Sequence, residues 1–257
     1  MVPMAWLGSW AVVLAAAPPA GSAWRWSVER SASATATATV DGQKRRYTTQ
    51  PDAADRTTLM VKVLEAGEAA PKRVEVTVTS GAPALEGRRW IAEDEYGEAR
   101  LTVPPGAGPT ELQKGLEQMD RRAVPDLRRL LGHLFKPDPF VRATADGPPC
   151  APSTLERVAA ATGDAVRSFL DTSDVTFEKA SARCVGKGRR YAVATTARVL
   201  RGSGVQLYPF TGTVDVPSAG WLSTVELSAP FRNQPDGSRV ALESSGTLRL
   251  RSSMQKK

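Results

Sequence analysis

The sequence has few of the side chains that carry enzymatic or metal chemistry. It contains one histidine, His133, and two cysteines, Cys150 and Cys184, among 257 residues. A structural zinc site needs four nitrogen or sulfur ligands, which two cysteines without a CxxC spacing do not supply. No Gly-x-Ser-x-Gly elbow accompanies the histidine, so we interpret His133 as a partly buried structural residue. We therefore predict a non-enzymatic protein that requires no cofactor and no metal.

Two short motifs also lack the pattern of a nucleotide or calcium site. Residues 186–190 are rich in glycine and basic residues, but the segment lacks the length and the final Ser or Thr of a phosphate-binding loop. Carboxylates at residues 93, 94, 95 and 98 could supply oxygen ligands to calcium, but they do not follow the EF-hand pattern. We predict that this acidic group forms a solvated loop or edge strand.

The first 23 residues contain no charged side chain. Residues 5–17 are almost entirely apolar, Pro18 and Pro19 interrupt the run, and small residues at Gly21 and Ala23 fit a signal-peptidase site. We predict a signal peptide that is cleaved after Ala23, which places the mature protein in the periplasm or outside the cell. The apolar run is shorter than the roughly 20 residues of a spanning helix. No transmembrane span is therefore expected after cleavage; an uncleaved anchor is the alternative.

The two cysteines are predicted to form a disulfide. An even number of cysteines in an oxidising compartment favours pairing of Cys150 with Cys184. The bond would close a loop of about 35 residues and contribute roughly 3–4 kcal/mol to stability. The alternative is a pair of unbridged thiols.

Strands are indicated by a side-chain period of two. From Trp24 to Val40 apolar residues occupy even positions and polar residues odd ones, with Arg30 as the exception. Asp41 and Gly42 follow, which favours a hairpin turn and a returning strand over residues 43–50. Further strands are predicted over residues 58–63, 74–79, 88–92, 98–103, 191–199, 205–207, 211–216, 221–227, 239–244 and 247–251.

The middle of the chain is predicted to be helical. Capping boxes begin at Thr110 and at Ser153, each with Gln or Glu three residues later. Apolar residues recur at helical spacing over residues 127–135 and 155–170. Pro125 lacks a backbone donor, so a kink or a new start is expected there.

These elements predict a strand-rich α+β fold in which N- and C-terminal antiparallel meander sheets flank a central pair of helices. The predicted divisions are the signal peptide (1–23), an N-terminal antiparallel β-region (24–109), a central helical region (110–170) and a C-terminal antiparallel β-region (171–257), with residues 24–257 forming one domain. The two β-regions could instead share one curved half-barrel sheet with the helices on its concave face. In layout alone, that arrangement is similar to the half-barrels of bacterial periplasmic lipid carriers.

The net charge is +7, and its excess lies in residues 171–257. For an exported protein such a charge favours anionic lipids or glycans as partners, and no nucleic acid is expected. A candidate surface for an anionic partner comprises Arg121, Arg122, Arg128, Arg129, Lys187, Arg189 and Arg190.

The sequence favours an exported envelope protein that binds an apolar or amphiphilic ligand, such as a lipid, in a cavity between sheet and helices. The alternative is a structural or protein-interaction module of the cell envelope, whose exposed strand edges bind a partner. A secreted hydrolase is the least favoured class.

Overall fold

A computed structural model describes residues 18–40, 43–49, 56–81, 85–96, 98–102, 104, 123–170, 174–186, 188–201, 204–218, 221–233 and 241–257. The strands are β1 (Ala23–Val40), β2 (Gln43–Thr49), β3 (Arg56–Glu65), β4 (Arg73–Ser80), β5 (Arg89–Glu95), β6 (Glu98–Thr102), β7 (Val175–Cys184), β8 (Arg190–Arg201), β9 (Gly204–Asp215), β10 (Thr224–Asn233) and β11 (Ala241–Lys256). The helices are α1 (Ala123–Gly132), a 3₁₀ turn (His133–Phe135), α2 (Pro139–Ala143) and α3 (Pro152–Leu170).

All eleven strands belong to one antiparallel sheet. The strand order is β6-β5-β4-β3-β1-β11-β10-β9-β8-β7, and β2 pairs with β1 beside this path. Among the described residues the outer strands β6 and β7 do not pair with each other, so the sheet is not closed. The prediction of a strand-rich fold with antiparallel strands and helices is therefore confirmed. The strands form one sheet. Separate N- and C-terminal sheets are not observed, and the half-barrel curvature stays a prediction.

Strand β1 joins the N- and C-terminal β-regions. It pairs with β11 from Trp24 opposite Lys256 to Thr39 opposite Ala241. Its other side pairs with β3 over the lower segment (residues 23–29) and with β2 over the upper segment (residues 34–40). The long alternation in the sequence therefore corresponds to a strand that has different neighbours along its length.

Two apolar clusters form the core of the described chain. The first combines β1 and β3–β6 with α1 and Trp221, and the second combines β7–β11 with α2 and α3. β-Branched residues at alternate positions of β3 and β4 are fully buried, as the period of two requires; these are Val61, Val63, Val74, Val76 and Val78. Each cluster thus places helices against one face of the sheet.

The helices follow the predicted apolar stripe with one difference. Leu127, Leu131 and Leu134 are buried, as the helical spacing predicts. Helix α3 begins at Pro152, so Ser153 lies inside the helix and its predicted role as the cap is wrong. Proline suits the first turn because a helix has no partner for its first N–H groups. The capping box at Thr110 lies outside the described residues.

Two predicted interruptions of the C-terminal strands do not occur. Residues 205–207 and 211–216 belong almost entirely to the single strand β9, which continues through Pro209. Within the described chain, β9 pairs with β10 only from Thr211 to Asp215. Pro209 lies outside this pairing, so its lack of an N–H removes no hydrogen bond to β10. Similarly, residues 241–256 form one strand, although Gly246 lies in its interior.

The predicted cleavage site lies where β1 begins. The Gly21 N–H donates to the Val63 carbonyl (2.8 Å), and the Val63 N–H donates to the Ser22 carbonyl (2.9 Å). Residues 1–17 of the predicted signal peptide lie outside the described residues, and cleavage after Ala23 stays a prediction. None of the described helices combines the length and apolar character needed to cross a membrane.

Candidate functional site

The disulfide between Cys150 and Cys184 is present. Its Cα atoms are 5.8 Å apart, and the bond links the segment before α3 to the end of the outer strand β7. Tyr191 supports the same segment, because its hydroxyl donates to the Pro149 carbonyl at 3.1 Å. These contacts hold α3 against the sheet, and they confirm the predicted pairing.

The predicted basic surface is divided between two parts of the sheet. Arg128 and Arg129 lie on α1 beside β6, whereas Arg189 and Arg190 lie at the start of β8, near the other end of the strand order. Arg190 also pairs with Asp215, at 3.5 Å. The remaining members, Arg121, Arg122 and Lys187, lie outside the described residues. Binding of an anionic partner by this set stays a prediction.

The acidic group near β6 contacts the arginines of α1. Arg128 Nη2 lies 3.4 Å from Glu95 and 3.9 Å from Glu98, while its Nε donates to the Ala99 carbonyl at 2.9 Å. Arg129 lies 3.8 Å from Glu98. In the described part of the chain, no three carboxylate, histidine or cysteine side chains are grouped as metal ligands. These charges therefore attach α1 to the outer strand of the sheet.

Two concave regions offer room for a ligand. A groove of about 570 Å³ beside the β3–β4 connection is lined by both carboxylates and basic side chains. Ion pairs already join several of them, such as Arg73 to Glu93 at 3.0 Å. A cavity of about 140 Å³ lies instead between the sheet and the helices, and its surface is mostly apolar. This sheet–helix cavity is the better candidate, because ligand sites are concave and mainly apolar.

The sheet supplies the floor of the sheet–helix cavity. Val28 lies opposite Ser252, which in turn lies opposite Val225, so one row of residues crosses three strands. In the next row Arg30 lies opposite Leu250. All five residues line the cavity. The floor therefore belongs to both apolar clusters and lies where they meet.

The helices and the segment between them supply the roof. Leu130 and His133 contribute from the end of α1 and the 3₁₀ turn, Phe140 from α2, and Ala165 and Ser168 from α3. Phe140 is fully buried, whereas Ser168 is exposed. The cavity thus runs from an apolar interior toward solvent.

Asp138 fastens the roof to the sheet. Its Oδ1 accepts hydrogen bonds from the N–H groups of Phe140 and Val141 and from the Ser223 hydroxyl, each at 2.9 Å. Its Oδ2 accepts from the Ser223 N–H at 2.8 Å. Burial raises the pKa of Asp138, and these hydrogen bonds oppose that rise. Nearby, the Trp221 indole N–H donates to the Leu134 carbonyl at 3.1 Å.

Three basic side chains line the cavity. Arg30 is half-buried with a fully buried Nε, His133 is half-buried, and Lys136 is exposed. Burial, followed by the charges of Arg30 and Lys136, lowers the pKa of His133 from 6.5 to about 4. The imidazole is therefore neutral at neutral pH, and both cations are close enough to act on it. The prediction of a partly buried histidine is confirmed.

Arg30 is the site residue that sequence reasoning missed, although the signal was present. It is the one charged residue at the even, core-facing positions of residues 24–40. An arginine on an apolar face requires solvent, a partner or a ligand for its guanidinium. Lys136 and Asp138 gave no comparable signal, because they belong to an irregular segment whose position depends on tertiary contacts.

Comparison with known proteins gives no assignment. No protein family matches the sequence, and no curated protein is similar to it. Among solved structures, a mutant of transferrin binding protein B (TbpB), a vaccine antigen from Haemophilus parasuis Hp5, aligns with 9% identity and a TM-score of 0.17. The alignment covers 92% of this chain and 28% of that protein. So low a TM-score does not indicate a shared fold, and we infer nothing from it.

Proposed function

We propose that this chain is an exported, non-enzymatic envelope protein that binds the apolar part of a small apolar or amphiphilic ligand in the sheet–helix cavity. The observation that supports the proposal is the cavity itself, which is mostly apolar and lies between sheet and helices. Leu250 and Val225 from the sheet and Phe140 from α2 supply apolar surface. Burial of such surface against a ligand is favourable by roughly 25 cal/mol per Å².

The volume of the cavity limits the ligand. An apolar cavity of about 150 Å³ in another protein stays dry and binds benzene, and the cavity here measures about 140 Å³. It therefore fits a short alkyl or aromatic group. A complete two-chain lipid would fit only after the helices move away from the sheet.

Binding of hexan-1-ol tests this function, because the alcohol is uncharged and its single short alkyl tail suits a cavity of about 140 Å³. We expect the methyl NMR signals of Val28, Val225 and Leu250 to shift on titration. Ala165→Leu should abolish the shifts, since Ala165 lines the cavity from α3. Ala160→Leu is the matched control, because Ala160 is an exposed residue of the same helix. No shift in the unmodified protein would overturn the proposal.

Export rests on separate observations. The charge-free leader predicts a signal peptide, and the Cys150–Cys184 disulfide is compatible with an oxidising compartment. Cell fractionation followed by N-terminal sequencing should give a mature protein that begins at Trp24. A chain recovered from the cytoplasm with residues 1–23 attached would contradict export without affecting the ligand test.

Strand β2 favours the alternative of a protein-interaction module. All seven of its residues are exposed, and within the described chain it pairs with β1 alone. Lys44, Arg45 and Arg46 make the strand basic, so an extended acidic peptide is the partner that its edge would accept. Fluorescence anisotropy with a glutamate-rich peptide tests this function. Replacement of the three basic residues by glutamine should remove binding, and equal binding by that variant would contradict the alternative.

A further inference from the structure

The sheet–helix cavity is lined by cationic as well as apolar side chains. Its apolar surface comes from Phe140, Val225 and Leu250, which are buried. Arg30, which lies opposite Leu250 in the sheet, lines it together with His133 and the exposed Lys136. A cavity with both kinds of lining matches a molecule that has an apolar tail and a charged head.

The charged side chains that line the cavity determine which sign of ligand charge it favours. Arg30 and Lys136 are positive at neutral pH, and His133 adds an imidazole N–H. Asp138 is the one carboxylate among the residues that line the cavity in the described chain. Its two oxygens already accept four hydrogen bonds from Phe140, Val141 and Ser223. The charged lining therefore favours an anion.

The three basic side chains line one cavity, although they come from β1, the 3₁₀ turn and the segment after it. The charges of Arg30 and Lys136 also lower the pKa of His133. An anion bound in this region would contact the positive charges and reverse their effect on the imidazole.

We propose that the ligand of this cavity is a single-tailed amphiphile with an anionic head group, a carboxylate or a phosphate. Arg30 and Lys136 bind the head group, and His133 donates a hydrogen bond to it. The tail packs against the apolar lining residues Phe140, Val225 and Leu250. This inference rests on the proposed function and adds the chemical class of the ligand. Arginine suits the task because its planar fork of N–H donors matches both carboxylate and phosphate oxygens.

Four ligands with the same tail test the proposal. Calorimetry at pH 7.5 should show that hexanoate and hexyl phosphate each bind roughly tenfold tighter than hexan-1-ol, since hydrogen bonds to charged groups are the stronger ones. Hexyltrimethylammonium should bind more weakly than the alcohol. The ratio of the two anion affinities shows which head group the site prefers.

Equal affinity for the alcohol and both anions would overturn the inference and leave the proposed function intact. Absence of binding by the alcohol and by both anions would overturn the proposed function as well.

Substitutions then show which residue recognises the charge of the head group. Arg30→Gln should remove the roughly tenfold preference for the anions while hexan-1-ol binding persists. Arg30→Lys should restore part of that preference, which separates loss of charge from loss of fold. Arg25→Gln is the matched control in the same strand, because Arg25 is exposed on the opposite face. An unchanged preference in Arg30→Gln would contradict the role of Arg30.

The single histidine gives a direct spectroscopic measurement. His133 is the only imidazole in the chain, so one pair of ring signals in a ¹H–¹³C spectrum reports on this site alone. Hexanoate should raise the pKa of His133 above its value of about 4 in the ligand-free protein, whereas hexan-1-ol should not. Identical pKa values with the two ligands would place the head group elsewhere.

Discussion

The lower and upper segments of β1 share one sequence pattern and differ in their surroundings. In the lower segment Trp24, Trp26 and Val28 occupy even positions and are all buried. Beyond it Ala32 is exposed, and Ala34 and the next two even alanines are only half-buried. The neighbour of the upper segment, β2, exposes every residue. The same alternation therefore specifies a strand in both segments but a core in only one.

Side-chain size explains the difference. An indole or a valine extends far enough from the sheet to meet α1 and Trp221, and Trp24 packs edge to face against Trp221 with ring centroids 5.4 Å apart. An alanine methyl does not extend that far. Alternation of polarity indicates which face a residue occupies, whereas residue volume determines whether a second layer can pack there.

The comparison predicts the largest loss of stability for a large residue of the lower segment. Trp26→Ala should lower the free energy of unfolding by roughly 3–5 kcal/mol, because it leaves a cavity and removes the hydrogen bond from the indole to the Ser252 hydroxyl. Urea denaturation followed by circular dichroism measures the change. Trp26→Phe should cost clearly less, and equal losses for both variants would contradict a packing role.

The helical layer over the lower segment should make the protein sensitive to acid through His133. Its folded-state pKa of about 4 lies below the ordinary value of 6.5, so the unfolded chain takes up the proton first. The stabilising contribution is complete above pH 6.5 and is lost as the pH falls toward 4. The unfolding free energy should drop by roughly 2–3 kcal/mol between pH 7.5 and 4.5 from this group.

The variant His133→Asn isolates this contribution, because other titrating groups act in both proteins. Urea denaturation at each pH should give a smaller drop for the variant. Two pH profiles that run parallel would contradict the assignment.

In the upper segment, close contact between neighbouring strands should limit the size of the side chain at residue 246. A Cβ at Gly246 would lie 2.8 Å from Ala34 Cα and 2.8 Å from a ring carbon of Phe231, and it would also meet the Ser33 carbonyl. Gly246→Ala should therefore destabilise the protein by about 1–2 kcal/mol. Thermal unfolding measures the effect, and an unchanged midpoint would show that the strands separate there easily.

The smallest effect is expected for a substitution in the upper segment that changes polarity without a large change in volume. Ala36→Ser should alter the free energy of unfolding by no more than about 0.5 kcal/mol, because Ala36 is half-buried and lies outside both apolar clusters. The measurement is the urea midpoint. A loss above about 1 kcal/mol would mean that the upper segment has a core after all.

Local patterns in the sequence predicted most of the strands and the helices α1 and α3, because the period of two and the leucine spacing are local properties. They could not predict one sheet rather than two, since the decisive contact is the pairing of β1 with β11 from the other end of the sequence. A ligand cavity between sheet and helices was predicted as the kind of site. Its residues were not predicted, because Asp138 and Ser223 meet through irregular segments. Of the cavity residues, only Arg30 stood out in the sequence, because it is a charged residue at an even position of β1 where the other residues are apolar.

The pairing of β1 with β11 also has a consequence for biosynthesis. At about 5–20 residues per second, roughly 10–40 s separate the emergence of β3 from that of β11. During this interval one long edge of β1 lacks the strand that covers it from Trp24 to Thr39, and an open edge can recruit strands of other chains. We therefore expect the nascent protein to need a holding chaperone or immediate threading through a translocation pore.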